Sequence, residues 1–174
     1  TKFSVVRYGN VMGSRGSVIP FFMSIPNDKA LPITDKRMTR FMITLEQGVE
    51  LVWKSLEDAV GGEIYVKKIP SMNILDIAKA TKPKNDIEII GIRPGEKLHE
   101  QMIGFEDSNF TYEYHDYFKI LPSINDWNLD KNRIQDGKKV SEGFTYSSDS
   151  NDEWMTVKEL KGWIKNNSNR IGIS

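Results

Sequence analysis

The chain has 174 residues, enough for a domain with its own hydrophobic core, and its 24 lysines and arginines are balanced by 24 aspartates and glutamates. Because there is no basic excess, nucleic acid is not expected as a partner, and because there is no cysteine, disulfides and zinc–thiolate sites are excluded. The two histidines are too few for a multi-histidine metal site, and no apolar run is long enough to span a membrane.

The first predicted element is a strand over residues 3–8, where valines lie among aromatic residues without a helical period. A loop over residues 9–16 follows and contains three glycines, Asn10 and Arg15. A short helix is predicted after Ser17. Loops that leave a strand in this way bind ligands in open α/β sheets, although the pattern also fits a plain connection.

Residues 31–34 are predicted to be extended and residues 38–43 to form a strand, with a turn between them. Thr44 and Gln47 have the spacing of a capping box, which predicts the start of a helix that ends at a glycine pair. This helix carries its apolar residues on one face, the arrangement of an amphipathic helix: Leu45, Val49, Val52, Trp53 and Leu56.

The following elements alternate between strands and helices. They are strands at residues 63–66 and 87–90, helices at 73–80 and 96–103, and a hairpin of strands at 110–114 and 117–121. Residues 125–152 are polar without a sustained period, which predicts a long surface excursion. Thr156 and Glu159 form a second capping box and begin a last helix.

This alternation predicts an α/β fold, but the sequence contains no glycine-rich fingerprint after a strand, no P-loop and no second βαβ half. Since a sheet of this kind would be incomplete on its own, we expect the chain to be the later part of a larger α/β protein. The first residues lead into a strand without a signal-peptide pattern, so we expect a cytoplasmic protein with no membrane partner.

Three arginines lie at loop or strand ends, where their guanidinium groups could converge on phosphate oxygens: Arg15, Arg40 and Arg93. Any one of them could instead form a surface salt bridge. Pro94 and Gly95 favour a turn that directs Arg93 outward, and Glu96 could accept hydrogen bonds from sugar hydroxyls or simply begin a helix.

Other polar candidates are few. Asn10 offers a donor and an acceptor to a sugar or phosphate, or supports its turn. A helix would place Glu96 and Glu100 on one face beside His99, where they could act in acid–base catalysis or form a charged, solvated face. No tyrosine is followed four residues later by lysine. We therefore expect neither a catalytic residue nor a metal site in this chain.

Residues 7–20, RYGNVMGSRGSVIP, are similar to the loop after the sixth strand of extended short-chain dehydrogenase/reductases that act on nucleotide sugars. The chain also resembles the inverting UDP-N-acetylglucosamine 4,6-dehydratases, which open pseudaminic acid synthesis, in four further stretches: residues 31–35, 37–41, 91–100 and 146–154. This resemblance covers nearly the whole chain. Pro94 and His99 favour the inverting enzymes, because related capsule-type dehydratases usually have histidine and tyrosine at these two positions.

The resemblance implies a fold and a reaction. The fold is the C-terminal part of an extended short-chain dehydrogenase/reductase, namely the end of the Rossmann sheet plus the smaller substrate-binding domain. In the reaction, NADP takes a hydride from C4 of the sugar, water is eliminated across C5 and C6, and the hydride returns to C6 with inversion at C5. The product would be a UDP-4-keto-6-deoxy-L-arabino-hexose.

The resemblance also implies contacts, residue by residue. It places Tyr8 and Val11 near the nicotinamide of NADP. The substrate contacts are Asn10 at the sugar or diphosphate, Leu31, Ile33 and Thr34 at the uracil, Arg40 and Arg93 at the pyrophosphate, and Glu96 at the ribose.

In these enzymes the glycine fingerprint, the acid–base residues and the Tyr-x-x-x-Lys pair all precede the strand with which this sequence begins. We therefore expect residues 1–174 to be the C-terminal, mainly substrate-binding portion, with NADP bound mainly by an absent N-terminal half. The chain alone should be inactive, and the complete enzyme should be a homo-oligomer that uses UDP-N-acetylglucosamine. Two alternatives stay open: another nucleotide-sugar epimerase or dehydratase of the same superfamily, and a non-catalytic UDP-sugar-binding fragment.

Overall fold

A computed structural model describes residues 1–169 and 171. Its helices are α1 (Val18–Ser24), α2 (Leu45–Asp58), α3 (Ile74–Thr81), α4 (Lys131–Ile134) and α5 (Val157–Asn166), with 3-10 helices at Glu106–Phe110 and Trp127–Leu129. Its strands are β1 (Val5–Arg7), β2 (Asn10–Val11), β3 (Leu31–Ile33), β4 (Thr39–Ile43), β5 (Ile64–Lys67), β6 (Ser71–Asn73), β7 (Ile87–Ile89), β8 (Gln101–Ile103), β9 (Thr111–Glu113), β10 (Tyr117–Ile120), β11 (Lys138–Lys139) and β12 (Tyr146–Ser147).

The first of two compact units comprises Thr1–Tyr8, Thr44–Ile69 and Gln101–Ser147. Its sheet has the strand order β1-β5-β10-β9-β11, in which β1 runs parallel to β5 and the other neighbours are antiparallel. Strands β8 and β12 form a separate antiparallel pair. The parallel and antiparallel pairings, combined with helices, confirm the predicted α/β class.

Helix α2 packs against β1 and β5 in this unit. Its predicted capping box is confirmed, since Gln47 N donates to Thr44 Oγ1 at 3.2 Å and Thr44 N donates to Gln47 Oε1 at 3.0 Å. The buried residues of the helix are Gly48, Leu51 and Ser55. The buried side of the helix thus consists of two small residues and one leucine, and the larger apolar side chains of the helix lie outside it.

The apolar face predicted for α2 is not buried in the structure. Its five residues are between 38% and 64% exposed: Leu45, Val49, Val52, Trp53 and Leu56. No described part of the chain covers them.

Pairings between distant segments change two predicted regions. The prediction of a helix over residues 96–103 is wrong, since Gln101–Ile103 is a strand that pairs with Tyr146–Ser147. Residues 125–152 are mostly exposed or half-buried, in agreement with a surface excursion, but they include the short elements α4, β11, β12 and a 3-10 helix. The loop over residues 9–16 likewise contains β2, which pairs with β4.

The second unit comprises Gly9–Ile43, Pro70–Glu100 and the described residues from Ser148 onward. It contains the sheet β2-β4-β6, the parallel pair β3–β7, and helices α1, α3 and α5. The predicted capping box of α5 is present between Thr156 and Glu159. The core of the unit includes Ile19, Phe22, Leu31, Ile33, Met72, Ile77 and Leu160.

None of the helices within residues 1–169 is both long enough and apolar enough to cross a membrane.

Candidate functional site

The second unit contains a cavity of about 370 Å³, within the size range of small-molecule sites. One part of its wall is apolar and includes Val18, Phe21, Phe22, Met38, Ile74 and Ile90. Five of the seven residues predicted to contact the substrate also line it: Asn10, Thr34, Arg40, Arg93 and Glu96. The cavity therefore combines an apolar surface with two arginines, a carboxylate, a hydroxyl and an amide.

Strand β3 explains why the other two predicted substrate residues do not line the cavity. Successive side chains of a strand point to opposite faces. Leu31 and Ile33 are completely buried in the core, whereas Pro32 and Thr34 line the cavity. The segment is thus at the predicted site, but Pro32 and Thr34 face the cavity while Leu31 and Ile33 face the core.

The turn at residues 93–96 places Arg93 at the cavity. Gly95 has φ +81°, a conformation that favours glycine, and Glu96 N donates to Arg93 O at 3.0 Å. The Glu96 carboxylate accepts bonds from Arg93 N and Thr34 Oγ1, each at 3.3 Å. Among the described residues, nothing pairs with the Arg93 guanidinium, so its donors are available to an anion.

Arg40 is held differently. Its guanidinium donates to three main-chain carbonyl groups, those of Thr39 at 2.7 Å, Lys97 at 2.9 Å and Leu98 at 3.1 Å. Arg40 Nε lies 3.9 Å from Glu100 Oε1. Because a guanidinium has five N–H donors, Arg40 can fix the segment before Glu100 and still present an N–H to the cavity.

Asn10 and Glu100 are joined by the side-chain amide of Asn10, whose Nδ2 donates to Glu100 Oε1 at 2.8 Å and Oε2 at 2.9 Å. The carboxylate also accepts from Phe41 N at 2.9 Å. Since the predicted helix over residues 96–103 is absent, Glu96 and Glu100 do not share a helix face. Glu100 belongs to a hydrogen-bond network and not to a pair of catalytic carboxylates.

His99 lies next to this network. Its Nδ1 is 2.8 Å from Thr39 Oγ1, which is 2.7 Å from Ser148 Oγ. Thr39 and Ser148 are buried. These contacts support a structural role for His99.

The sequence did not identify Phe21 and Met38 as cavity residues, or Glu100 as the hydrogen-bond partner of Asn10. Phe21 directly follows the recognised residues 7–20 and Met38 lies within residues 37–41, so their places in the sequence were the available signal. The contact of Glu100 with Asn10 spans 90 residues and has no local signal.

Tyr8 and Val11, predicted to lie near the nicotinamide, are not among the residues that line the cavity. Tyr8 is 43% exposed, and Val11 is half-buried in β2. Of the three arginines that could have converged, Arg15 is also not in the lining.

Two of the three glycines in the loop over residues 9–16 lie against other side chains of the chain. A Cβ on Gly9 would collide with Phe41, and one on Gly13 would lie 2.9 Å from the ring of Trp163. Both glycines therefore allow close packing within the chain, and their spacing differs from the Gly-x-Gly-x-x-Gly fingerprint. The residues of this chain do not fit a complete NADP site. No group of three or more metal-ligating side chains occurs among the described residues.

The chain is similar to a known protein family and to individual proteins from two bacteria. A family described as "Polysaccharide biosynthesis protein" matches residues 1–122. The chain is 53% identical over 169 residues to the UDP-N-acetylglucosamine 4,6-dehydratase (inverting) of Campylobacter jejuni, covering 92% of this chain and 50% of that protein. It is 39% identical over 166 residues to the UDP-glucose 4-epimerase of Rickettsia conorii, covering 92% of this chain and 48% of that protein.

Among solved structures, the X-ray structure of Pen from Bacillus thuringiensis matches with a TM-score of 0.82 and 33% sequence identity. The match covers 97% of this chain and 51% of Pen. The chain thus spans about half the length of the curated relatives that it matches.

Proposed function

The chain belongs to the polysaccharide biosynthesis protein family, and from that premise we propose that it provides the nucleotide-sugar site of a C5-inverting UDP-N-acetylglucosamine 4,6-dehydratase. The observation that carries the proposal is the placement of Asn10, Thr34, Arg40, Arg93 and Glu96 around one cavity. The 53% identity to the Campylobacter jejuni dehydratase supports the choice of reaction.

In this proposal the cavity binds the nucleotide through charge and shape. The Arg93 guanidinium donates to the pyrophosphate, with an N–H of Arg40 beside it. Glu96 accepts hydrogen bonds from the ribose hydroxyls, and Pro32 and Thr34 contact the uracil. The apolar wall, which includes Phe21, excludes water from the bound sugar.

The chemistry of the whole enzyme would need a nicotinamide dinucleotide, which accepts and returns the hydride when bound. Since this chain contains neither the glycine fingerprint nor the Tyr-x-x-x-Lys pair, we assign it binding and orientation of the UDP-sugar only. We propose residues 1–174 as the mainly substrate-binding portion. Preference for NADP, a homo-oligomeric state, a cytoplasmic location and a place in pseudaminic acid synthesis stay predictions.

The test is a calorimetric titration of the 174-residue chain with UDP and with UDP-N-acetylglucosamine, followed by incubation with UDP-N-acetylglucosamine and NADP. We expect both nucleotides to bind and no 4-keto sugar to form. Failure to bind UDP would contradict the assigned site. Turnover by the pure chain would contradict the proposal that this chain only binds and orients the substrate.

The similarity to a UDP-glucose 4-epimerase favours a second candidate, an epimerase of the same superfamily. Product analysis of the complete enzyme, with its own first half, distinguishes the candidates. A 4-keto-6-deoxy sugar supports the dehydratase, and a sugar epimerised at C4 supports the epimerase. A binding-only fragment would yield neither product.

A further inference from the structure

We infer that Glu100 is a positioning residue: it orients the side-chain amide of Asn10 so that the oxygen, and not the nitrogen, is presented to the sugar of the bound nucleotide. The inference rests on the proposed function, because it concerns the same cavity. It adds a residue that the resemblance does not assign and specifies which chemical group Asn10 recognises.

The hydrogen bonds of Asn10 fix the orientation of its amide. Nδ2 donates to the Glu100 carboxylate, at 2.8 and 2.9 Å from its two oxygens, and to Phe41 O at 3.2 Å. An amide nitrogen has two hydrogens, so these two neighbours use both. No described residue donates to Asn10 Oδ1, and Asn10 lines the cavity.

Glu100 can impose this orientation because it is itself fixed. Its carboxylate accepts from Phe41 N at 2.9 Å, and its side chain is only 28% exposed. Its main chain is held on both sides by Ser148, since Glu100 N donates to Ser148 Oγ at 2.9 Å and Ser148 N donates to Glu100 O at 2.8 Å. An ionised carboxylate only accepts hydrogen bonds, so an amide oxygen turned toward it would face repulsion.

The orientation determines what Asn10 can recognise. An amide oxygen accepts hydrogen bonds from hydroxyl and N–H groups and repels phosphate oxygens. Of the two contacts that the resemblance allows for Asn10, sugar or diphosphate, the geometry therefore favours the sugar. The partner is a hydroxyl or the acetamido N–H, and the diphosphate is left to Arg93 and Arg40. A site built around such a hydrogen bond discriminates against ligands that lack the donor.

The experiment compares UDP with UDP-N-acetylglucosamine by calorimetry in the Glu100→Gln variant of the full chain. Glutamine keeps an oxygen for Phe41 N but can turn its NH2 group toward Asn10, which allows the Asn10 amide to rotate. We expect the affinity for UDP-N-acetylglucosamine to fall about tenfold while that for UDP changes less than about twofold. Glu57→Gln, an exposed change of the same charge on α2, is the control and should alter neither affinity.

A second variant and a ligand-free measurement keep the test decisive. Asn10→Ala should also weaken UDP-N-acetylglucosamine selectively, and it identifies the Asn10 side-chain amide signal in an ¹⁵N NMR spectrum. In the free wild-type chain that signal should exchange with solvent more slowly than the side chain of the exposed Asn132, and Glu100→Gln should remove the protection.

The outcomes separate the two proposals. Equal losses of affinity for UDP and UDP-N-acetylglucosamine, or an Asn10 amide that exchanges as fast as that of Asn132, would overturn the role of Glu100 and leave the proposed function intact. A wild-type chain that binds no UDP would overturn the proposed function, and with it the recognition of sugar by Asn10. The exchange measurement would then still report whether Glu100 fixes the amide.

Discussion

Lys119 Nζ lies 2.6 Å from Asp58 Oδ2, and the two side chains are only 1% and 5% exposed. Asp58 is the last residue of α2 and Lys119 lies in β10, so the pair holds the end of the helix to the sheet. The Tyr65 hydroxyl donates to the same Asp58 oxygen at 2.6 Å, and Gln135 Nε2 donates to the other at 2.9 Å. Because the charges are paired and hydrogen-bonded, their burial is tolerated.

Removing one partner of this ion pair should strongly destabilise the protein. Lys119→Met leaves the buried Asp58 carboxylate without its counter-charge, and we expect the free energy of unfolding to fall by about 3–5 kcal/mol. Urea denaturation followed by circular dichroism measures the change. Lys138→Met on the exposed strand β11 is the matched control, for which we expect a change within about 0.5 kcal/mol. Equal effects of the two substitutions would show that the buried pair has no special importance.

The same carboxylate should make stability depend on pH. Burial alone would raise the pKa of Asp58, but the hydrogen bonds from Lys119 and Tyr65 outweigh it, so the pKa is lowered in the folded chain. The resulting stabilisation is complete above the unfolded value of about 3.9 and is lost as the pH falls through the lower folded value. Urea midpoints between pH 7 and pH 2.5 measure this loss.

The Asp58→Asn variant isolates the contribution of Asp58 to that pH dependence. It should be less stable at pH 7, because Lys119 loses its counter-charge, and it should lose less stability on acidification. A variant whose acid slope matches that of the wild type would assign the pH dependence to other carboxylates.

Arg93 should contribute more to nucleotide binding than an arginine outside the cavity. Hydrogen bonds to charged groups contribute about 1.5–3 kcal/mol, so Arg93→Ala should weaken UDP binding about ten- to a hundredfold. Arg15→Ala is the charge-matched control, since Arg15 does not line the cavity. Calorimetric titration with UDP compares them, and an unchanged affinity in Arg93→Ala would remove this residue from the proposed site.

Two leucines of α2 give a direct test of which face of that helix is inside. Leu51 is 2% exposed and Leu56 is 64% exposed. Leu51→Ala should cost about 2–5 kcal/mol of unfolding free energy, whereas Leu56→Ala should change it by less than about 0.5 kcal/mol. Urea denaturation of both variants is the measurement. A large loss from Leu56→Ala would mean that this face is covered in solution.

Local signals in the sequence predicted the fold where short-range contacts decide it. The capping boxes at Thr44 and Thr156 are confirmed because each needs only residues three positions apart. The resemblance to inverting dehydratases is confirmed by the similarity to the Campylobacter jejuni relative. Residues 96–103 were mispredicted because their partner, β12, is distant in the sequence, and pairing with it overrides the local helical pattern.

In the candidate site, too, contacts between distant parts of the chain could not be predicted from local sequence. Its polar residues were predicted by resemblance, but which side of β3 faces the cavity depends on how the strand packs, and this places Pro32 there in place of Leu31 and Ile33. The exposed face of α2 could not be predicted either, because an amphipathic pattern identifies an apolar face and not what covers it.

The exposed face of α2 gives the protein an optical reporter of its own. Trp53 is 62% exposed, more than Trp154 at 45%, and an indole in water emits at longer wavelength than a buried one. Any molecule that covers α2 should shift the Trp53 emission to the blue and shield it from acrylamide quenching. Because the chain has four tryptophans, the difference between the wild type and Trp53→Phe isolates this signal, and occupation of α2 can then be followed without a label.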